Sequence, residues 1–121
     1  MPKKSSAFVE YVVHDLLSEL DGVQSRAMFG GYGIYRNGAI FAIVVDDELY
    51  FKVGPANRSE YEEAGSEPFT YRSKNRRKPV AMSYWKVPAH ILEDRPEIAR
   101  WAEKACQAAL KVKKENVPGR S

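Results

Sequence analysis

The sequence predicts an α+β domain of two layers, in which helices cover a five-stranded antiparallel sheet. Three observations lead to this prediction. Apolar residues recur at helical spacing near both ends of the chain, short segments between them have strand character, and turn-forming residues separate several of those segments. With 121 residues, of which 44% are hydrophobic and 29% charged, the chain has the size and composition of one globular domain.

The first predicted element is an amphipathic helix that begins near Ser6 and ends near Asp21-Gly22. Its apolar side repeats with the period of a helix and comprises Phe8, Val9, Val12, Val13, Leu16, Leu17 and Leu20. Beyond Gly22 the residues alternate or form continuous apolar runs, which is typical of strands. The five predicted strands span residues 26–36, 39–45, 48–53, 69–72 and 80–85.

Turn residues separate the first three predicted strands. Asn37-Gly38 favours a tight hairpin because both positions tolerate positive φ, and Asp46-Asp47 provides a weaker signal of the same kind. We therefore expect an antiparallel meander. After the third strand, Gly54-Pro55 interrupts the pattern, and Asn57 is predicted to cap a short inserted helix that runs to Ala64.

A second long helix is predicted near the end of the chain. Asp94, followed by Pro96 and Glu97, has the pattern of a helix start. The residues that then recur on one face are Ile98, Trp101, Ala102, Ala105, Ala109 and Val112. We expect a single domain, residues 1–121, with a core of about 6–112 and a frayed tail at 113–121.

Composition argues against several classes of protein. No apolar run approaches the roughly 20 residues that span a bilayer, and the lone Cys106 cannot form an internal disulfide, so we expect a cytoplasmic protein that does not enter membranes. With two histidines and one thiol, the chain is poorly supplied with metal ligands, and neither metal nor cofactor is expected. The net charge of +3 is mild and permits an anionic partner without requiring one.

The glycine-rich segment 26–38, RAMFGGYGIYRNG, has two interpretations. Gly31 and Gly33 begin the spacing of a dinucleotide-binding loop, but Arg36 stands where the last glycine belongs, and a hairpin rather than a helix follows. Glycines within a strand instead relieve crowding or let a neighbouring backbone approach. The strand interpretation is the stronger one.

This segment, together with FKVGPANRSEYEEAGSEPFTY at 51–71 and MSYWKVPAHILED at 82–94, resembles successive motifs of the TfoX amino-terminal domain family, named for regulators of natural competence. The resemblance runs from about Phe8 to about Leu110. It implies a bacterial α+β domain with an antiparallel sheet covered by helices, and a short form of a family whose longer members carry a further carboxy-terminal domain. The motif residues to which it assigns a structural role are Met28, Phe29, Gly30, Gly31, Gly33, Tyr84 and Trp85.

The resemblance also implies a function. It suggests a non-enzymatic interaction module that regulates transcription or competence and DNA transformation through a protein partner. In the competence regulators it implies an accessory role beside the cyclic-AMP receptor protein, so the expected partner is that receptor or another part of the transcription machinery.

The residues themselves show no catalytic pattern. His14 lies away from the apolar stripe of the first helix, His90 lies in a connection, and Cys106 flanks the apolar face of the last helix. Ser83 lacks the glycine-flanked turn that exposes a nucleophilic serine. The carboxylate clusters at 46–48, 60–63 and 93–94 fit a turn, the polar face of a helix and a helix start. We therefore expect no enzyme.

The strongest local charge asymmetry is RSKNRRK, which lies between the fourth and fifth predicted strands. Its cations are Arg72, Lys74, Arg76, Arg77 and Lys78. We call residues 72–78 the basic segment. Such a hairpin tip suits weak, sequence-tolerant contact with DNA phosphates, but it also suits a solvated loop that discourages aggregation at a sheet edge. The neighbouring Tyr71, Tyr84 and Trp85 fit either stacking platforms or core.

Overall fold

A computed structural model describes residues 4–28, 31–71 and 80–115 of the chain. In chain order the elements are α1 (Lys4–Tyr11), a π-helical segment (Val12–Leu16), β1 (Val23–Met28), β2 (Gly31–Arg36), β3 (Ala39–Val45), β4 (Glu48–Lys52), α2 (Arg58–Glu63), β5 (Pro68–Tyr71), β6 (Val80–Lys86), α3 (Ala89–Leu92) and α4 (Arg95–Glu115). The strands form one sheet in the order β1-β2-β3-β4-β6-β5, and every pairing is antiparallel. This confirms the predicted α+β class with helices at both ends.

The sheet has six strands rather than five because the segment predicted as one strand, 26–36, forms two. β1 pairs with β2 in antiparallel register, with Met28 opposite Gly31. The alternation of side chains typical of a strand continues before Met28 and after Gly31. The sequence pattern therefore does not show that the chain reverses its direction between them. Phe29 and Gly30 lie outside the described residues.

The predicted meander is confirmed and extends over β1 to β4. Asn37 and Gly38 have φ values of 55° and 77°, and Asp46 and Asp47 have 52° and 61°. Both two-residue connections therefore use the left-handed backbone conformation that matches the twist of a tight hairpin. In the second, aspartate occupies positions where glycine or asparagine is more usual.

The first helix changes its hydrogen bonding part-way along. After Tyr11 it continues as the π-helical segment, in which the Leu17 N–H donates to the Val12 carbonyl oxygen at 2.9 Å. The wider turn ends near Leu16, short of the predicted end, yet the apolar stripe still reaches the core. Its buried members are Val9, Val12, Leu16, Leu17 and Leu20.

α4 begins where the sequence predicts. The Asp94 carboxylate accepts a hydrogen bond from the Glu97 N–H at 3.1 Å, which satisfies one of the free amides of the first turn. The helix then packs across β3 and β4. Its buried face comprises Ile98, Trp101, Ala102, Ala105, Cys106 and Ala109, which matches the prediction over the described side chains. Since α4 extends to Glu115 and residues 116–121 lie outside the described part, the domain bounds and tail stay predictions.

Asn57 does not cap α2, so that prediction is wrong. Its side chain is 2% exposed and points back to the end of β4, where Oδ1 accepts from the Gly54 N–H at 2.7 Å and Nδ2 donates to the Lys52 carbonyl at 3.1 Å. Asparagine has both a donor and an acceptor, so it satisfies two backbone groups of the strand end at once. Asn57 therefore stabilises the connection between β4 and α2 and not the first turn of α2.

Two further features follow from long-range pairing. β6 lies between β4 and β5, so the chain passes to the sheet edge at β5 and returns inward. The connection that contains His90 holds α3, a one-turn helix whose Ile91 is buried. Neither the strand order nor this helix was predicted.

The strand glycines are explained by close packing. A Cβ atom at Gly31 would overlap the backbone carbonyl oxygen of Val44 on the neighbouring strand. At Gly33 it would stand 2.8 Å from Ile40 Cδ1 and 3.0 Å from both Met28 Sδ and Tyr35 Cε1, all of them side-chain atoms. β2 leads into a hairpin and not a helix, so these glycines lack the setting of a dinucleotide-binding loop.

We predict that Gly31→Ala lowers the free energy of unfolding by about 3 kcal/mol, because only the backbone of β3 can move to accommodate it. Gly33→Ala should cost about 1 kcal/mol, since the neighbouring side chains can rotate away. Urea denaturation measures both losses. Gly54→Ala is the control, because its Cβ would lie 3.5 Å from the Ala108 Cβ, an ordinary contact. Equal stability of the Gly31 and Gly54 variants would contradict the conclusion that close packing against β3 requires glycine at position 31.

Candidate functional site

The basic segment lies outside the residues that the structure describes. The strands that flank it are described, and Tyr71 on β5 pairs with Val80 on β6. The predicted phosphate contacts of Arg72, Lys74, Arg76, Arg77 and Lys78 therefore stay a prediction. Among the motif residues, Phe29 and Gly30 also lie outside the described part.

The helices cover one face of the sheet. Phe41, Val44 and Phe51 on this face belong to the core beneath α4, and Arg36 reaches from it to the Glu103 carboxylate at 3.0 Å. A bulge in the β2–β3 pairing keeps both Phe41 and Ala42 on this core face. Elsewhere side chains alternate along the strand, so Tyr35, Ile43 and Lys52 lie on the opposite face. We call it the open face, because the helix contacts of the described residues lie on the other side.

The structure places the adjacent motif residues Tyr84 and Trp85 on opposite faces of the sheet. Trp85 packs against the core and approaches Tyr61, with ring centroids 6.2 Å apart. Tyr84 lies opposite Lys52 in the β4–β6 pair, on the open face. The sequence left open whether each was core or surface, and strand alternation decides between them.

Tyr35 and Tyr84 line one groove at the end of the open face, together with Ile40 and Lys52. This tyrosine groove has a volume of about 330 Å³ and is bounded also by Gly38, Ala39 and Ala109. Ala39 and Ala109 belong to the core, so the groove reaches round the end of the sheet to α4. The two tyrosines come from strands that are far apart in the sequence. β2 supplies one and β6 the other, and the intervening β3 and β4 bring them together.

Cations approach both tyrosine rings. The Arg26 guanidinium lies 5.9 Å from the ring centroid of Tyr35, and the Lys52 ammonium lies 5.2 Å from that of Tyr84. Lys52 also donates to the Ser83 hydroxyl at 2.7 Å. Among the described residues, no carboxylate forms a salt bridge with Arg26 or Lys52. The groove thus combines aromatic rings with positive charge.

Partial burial shifts the pKa values of two side chains in this groove. It raises the pKa of Tyr84 to about 12, with a smaller contribution from Tyr35. Burial also lowers the pKa of the Lys52 ammonium. Both effects have one cause, since a charged group loses favourable hydration when protein surrounds it. Sequence reasoning named Tyr84 as a candidate but did not identify Tyr35, Arg26 and Lys52 as site residues. The apolar Ile34 beside Tyr35 is a signal in the sequence, because neighbouring side chains on a strand lie on opposite faces of the sheet.

The histidines, the cysteine and the carboxylates that we expect to be non-catalytic lie in different parts of the structure. His14 is exposed and lies 3.1 Å from Glu10, while His90 is exposed on α3. Cys106 is buried, and burial raises the pKa of its thiol above the usual range. Glu60 binds Arg100 at 2.8 Å and Lys104 at 2.9 Å, and thus links α2 to α4.

Within the described ranges, histidine, cysteine, aspartate and glutamate form no cluster that could hold a metal ion. None of the helices in that part of the chain is both long and apolar enough to cross a membrane.

Comparison with known proteins places the chain in a family. The sequence profile of the TfoX N-terminal domain matches residues 15–109, which include the whole sheet and most of α4. The chain belongs to the TfoX N-terminal domain family. The match confirms the resemblance carried by the three sequence motifs.

Two relatives match this TfoX N-terminal domain, and the name of one of them bears on function. DNA transformation protein TfoX1 of Aliivibrio fischeri is 33% identical over 60 residues, which cover 50% of this chain and 29% of the relative. Protein Sxy of Escherichia coli K12 is 25% identical over 103 residues, which cover 85% of this chain and 48% of the relative. The chain thus spans less than half the length of each.

We predict that Tyr84 ionises near pH 12 in the folded protein, two units above an ordinary tyrosine. Because the folded pKa is the higher one, this residue contributes stability that is fully present below pH 10 and is lost as the pH rises towards 12. Phenolate absorbance of the parent and of Tyr84→Phe measures the ionisation, and denaturation at each pH measures the stability. Tyr84→Phe should lose less stability over this interval. Ionisation of Tyr84 near pH 10 would contradict the burial argument.

Proposed function

We propose that this chain is a non-enzymatic interaction module that regulates DNA transformation through a protein partner. Its membership of the TfoX N-terminal domain family carries the proposal. The matching relative named as a DNA transformation protein supports it. The matched residues include the whole described sheet, so the shared unit is the folded scaffold and not one short motif.

The residue chemistry supports a binding role over catalysis. In the described part of the chain, both histidines are exposed and the thiol is buried. Glu60, the carboxylate that bridges two cations, serves to join α2 to α4. General acid–base catalysis needs titratable groups that converge on one substrate position, and these groups do not converge. Recognition by surfaces of the sheet or helices requires no such convergence.

The partner that we propose is the cyclic-AMP receptor protein, or another part of the transcription machinery, in the cytoplasm. The family resemblance motivates this choice. An accessory regulator of this kind contributes by coupling: it binds the receptor–promoter complex more tightly than it binds either component. The coupling is reciprocal, so the chain would also raise the affinity of the receptor for the promoter.

We predict that purified receptor, cyclic AMP and promoter DNA together bind the chain about 5- to 150-fold more tightly than DNA alone, the usual range of coupling between sites. Fluorescence anisotropy with labelled chain measures the affinities, and RNA polymerase is tested in the same way. Nuclease treatment separates direct protein contact from bridging by DNA. Equal affinity for the complex and for bare DNA, with no binding to either purified protein, would rule out the proposed partners.

A second candidate function is direct, sequence-tolerant DNA contact by the basic segment. The observation that favours it is the concentration of five cations between β5 and β6. Phosphate contacts of this kind supply affinity but little base discrimination. This activity would add to a protein-mediated role, since non-specific contact helps an accessory protein to stay near the promoter.

We predict that neutralising Arg76, Arg77 and Lys78 together with glutamine weakens binding to duplex DNA of every sequence about equally. The slope of log affinity against log salt should become less negative by about 0.9 for each phosphate that the variant no longer neutralises. A salt titration of the parent and the triple variant measures this, and melting curves control for folding. Equal slopes for the two proteins, or absence of binding by the parent at low salt, would leave the segment as a solvated loop.

A further inference from the structure

The tyrosine groove is a second surface with features of a binding site, and neither the family membership nor the basic segment accounts for it. It pairs two aromatic rings with two cations on the face of the sheet that the helices leave open. We propose that this groove binds single-stranded nucleic acid, with Tyr35 and Tyr84 stacking on unpaired bases and Arg26 and Lys52 contacting the adjacent phosphates. The inference does not depend on the proposed protein partner.

Glycine at position 33 makes room for the first ring. Tyr35 Cε1 lies 3.0 Å from the point where a Cβ of residue 33 would stand, so the ring leans over the glycine backbone. Support of an aromatic ring by a glycine on the same sheet face is a recurrent packing device. The ring is thereby held against the sheet, with Arg26 beside its face. A ring held in this way is a preorganised stacking surface.

Charge divides the open face into two ends. Around the tyrosine groove the cations Arg26 and Lys52 have no salt bridge with any described carboxylate. At Tyr50 the surroundings are acidic: after burial itself, the carboxylate of Glu48 is the largest cause that raises its pKa. Lys86 at that end is paired with Glu48 at 3.3 Å. A polyanion is therefore complementary to the groove and not to the Tyr50 end.

The cations near the rings do not prevent stacking. An exposed cation–π contact is worth about a 2- to 5-fold preference, whereas stacking of a base on an aromatic side chain is worth about 5- to 150-fold. A base therefore displaces the cation from the ring. The displaced guanidinium or ammonium remains beside the base, where the nucleic-acid backbone offers a phosphate. Both favourable interactions are then made together.

The shape of the surface favours single strands over a duplex. Duplex bases stack on each other, and their edges are read by a helix or ribbon inserted into a groove, which the described residues of the open face do not provide. Unpaired bases expose their faces, and an open sheet with aromatic residues can stack on them. The groove volume of about 330 Å³ suits a flat group of nucleobase size.

The test uses a labelled oligodeoxythymidylate of about 12 nucleotides, within the usual site size for such surfaces, and a duplex of the same length. We expect tighter binding of the single strand. Tyr35→Leu and Tyr84→Leu should each weaken it about 5- to 150-fold, whereas Tyr35→Phe and Tyr84→Phe keep the ring and should bind almost as the parent does. Arg26→Gln and Lys52→Gln should each make the salt slope less negative by about 0.7.

Tyr50→Leu is the matched control, because it removes a tyrosine from the acidic end of the same face and should leave binding unchanged. Melting curves control for folding, and the phenylalanine and glutamine variants test the proposal even if a leucine variant unfolds. The proposal is overturned if the single strand does not bind at low salt, if the duplex binds equally well when Arg76, Arg77 and Lys78 are also replaced by glutamine, or if folded leucine variants bind like the parent. It is also overturned if those variants bind the single strand like the parent and lose affinity only for the receptor–promoter complex. That result would make the groove a protein interface.

Discussion

The packing of α4 across β3 and β4 is the contact on which the rest of the structure depends. Trp101, Ile98 and a run of alanines lie against the apolar face that Phe41 and Phe51 present. The alanines let the helix axis approach the sheet, while each large buried side chain contributes on the order of 1.5 to 3 kcal/mol. The same packing determines which sheet face is covered and which is left for binding.

Polar contacts at the edges of this core orient the elements more than they stabilise them. Arg36 donates to the Asp21 carbonyl at 2.9 Å and to Glu103 at 3.0 Å, so it joins β2, α4 and the connection that leads from the first helix to β1. Arg95 binds Asp15 at 2.8 Å and ties the start of α4 to the π-helical segment. Exposed ion pairs contribute only about 0 to 1 kcal/mol each. Their geometric specificity nevertheless fixes where each helix lies.

The architecture separates the scaffold from the surfaces that are free to bind. The helices, the core and the ion pairs that join the helices occupy one side of the sheet, whereas the Tyr35 and Tyr84 side chains lie on the other side. In this TfoX N-terminal domain, substitution of Arg26 or Lys52 would therefore leave the core intact, whereas Gly31 and Gly33 are constrained by close packing. This separation suits a regulatory module, since interaction surfaces can change while the fold is retained.

The sequence alone determined those parts of the fold that depend on interactions between residues close together in the chain. Asn37-Gly38, the Asp94 start of α4 and the apolar stripes of both long helices depend on neighbours within a few residues, and the structure has each of them. The tertiary structure alone decided the features that depend on distant residues. Asn57 bonds to a strand end instead of a helix, and β6 inserts between β4 and β5. The tyrosine groove belongs to this second group, because Tyr35 and Tyr84 become neighbours only when the strands between them have paired.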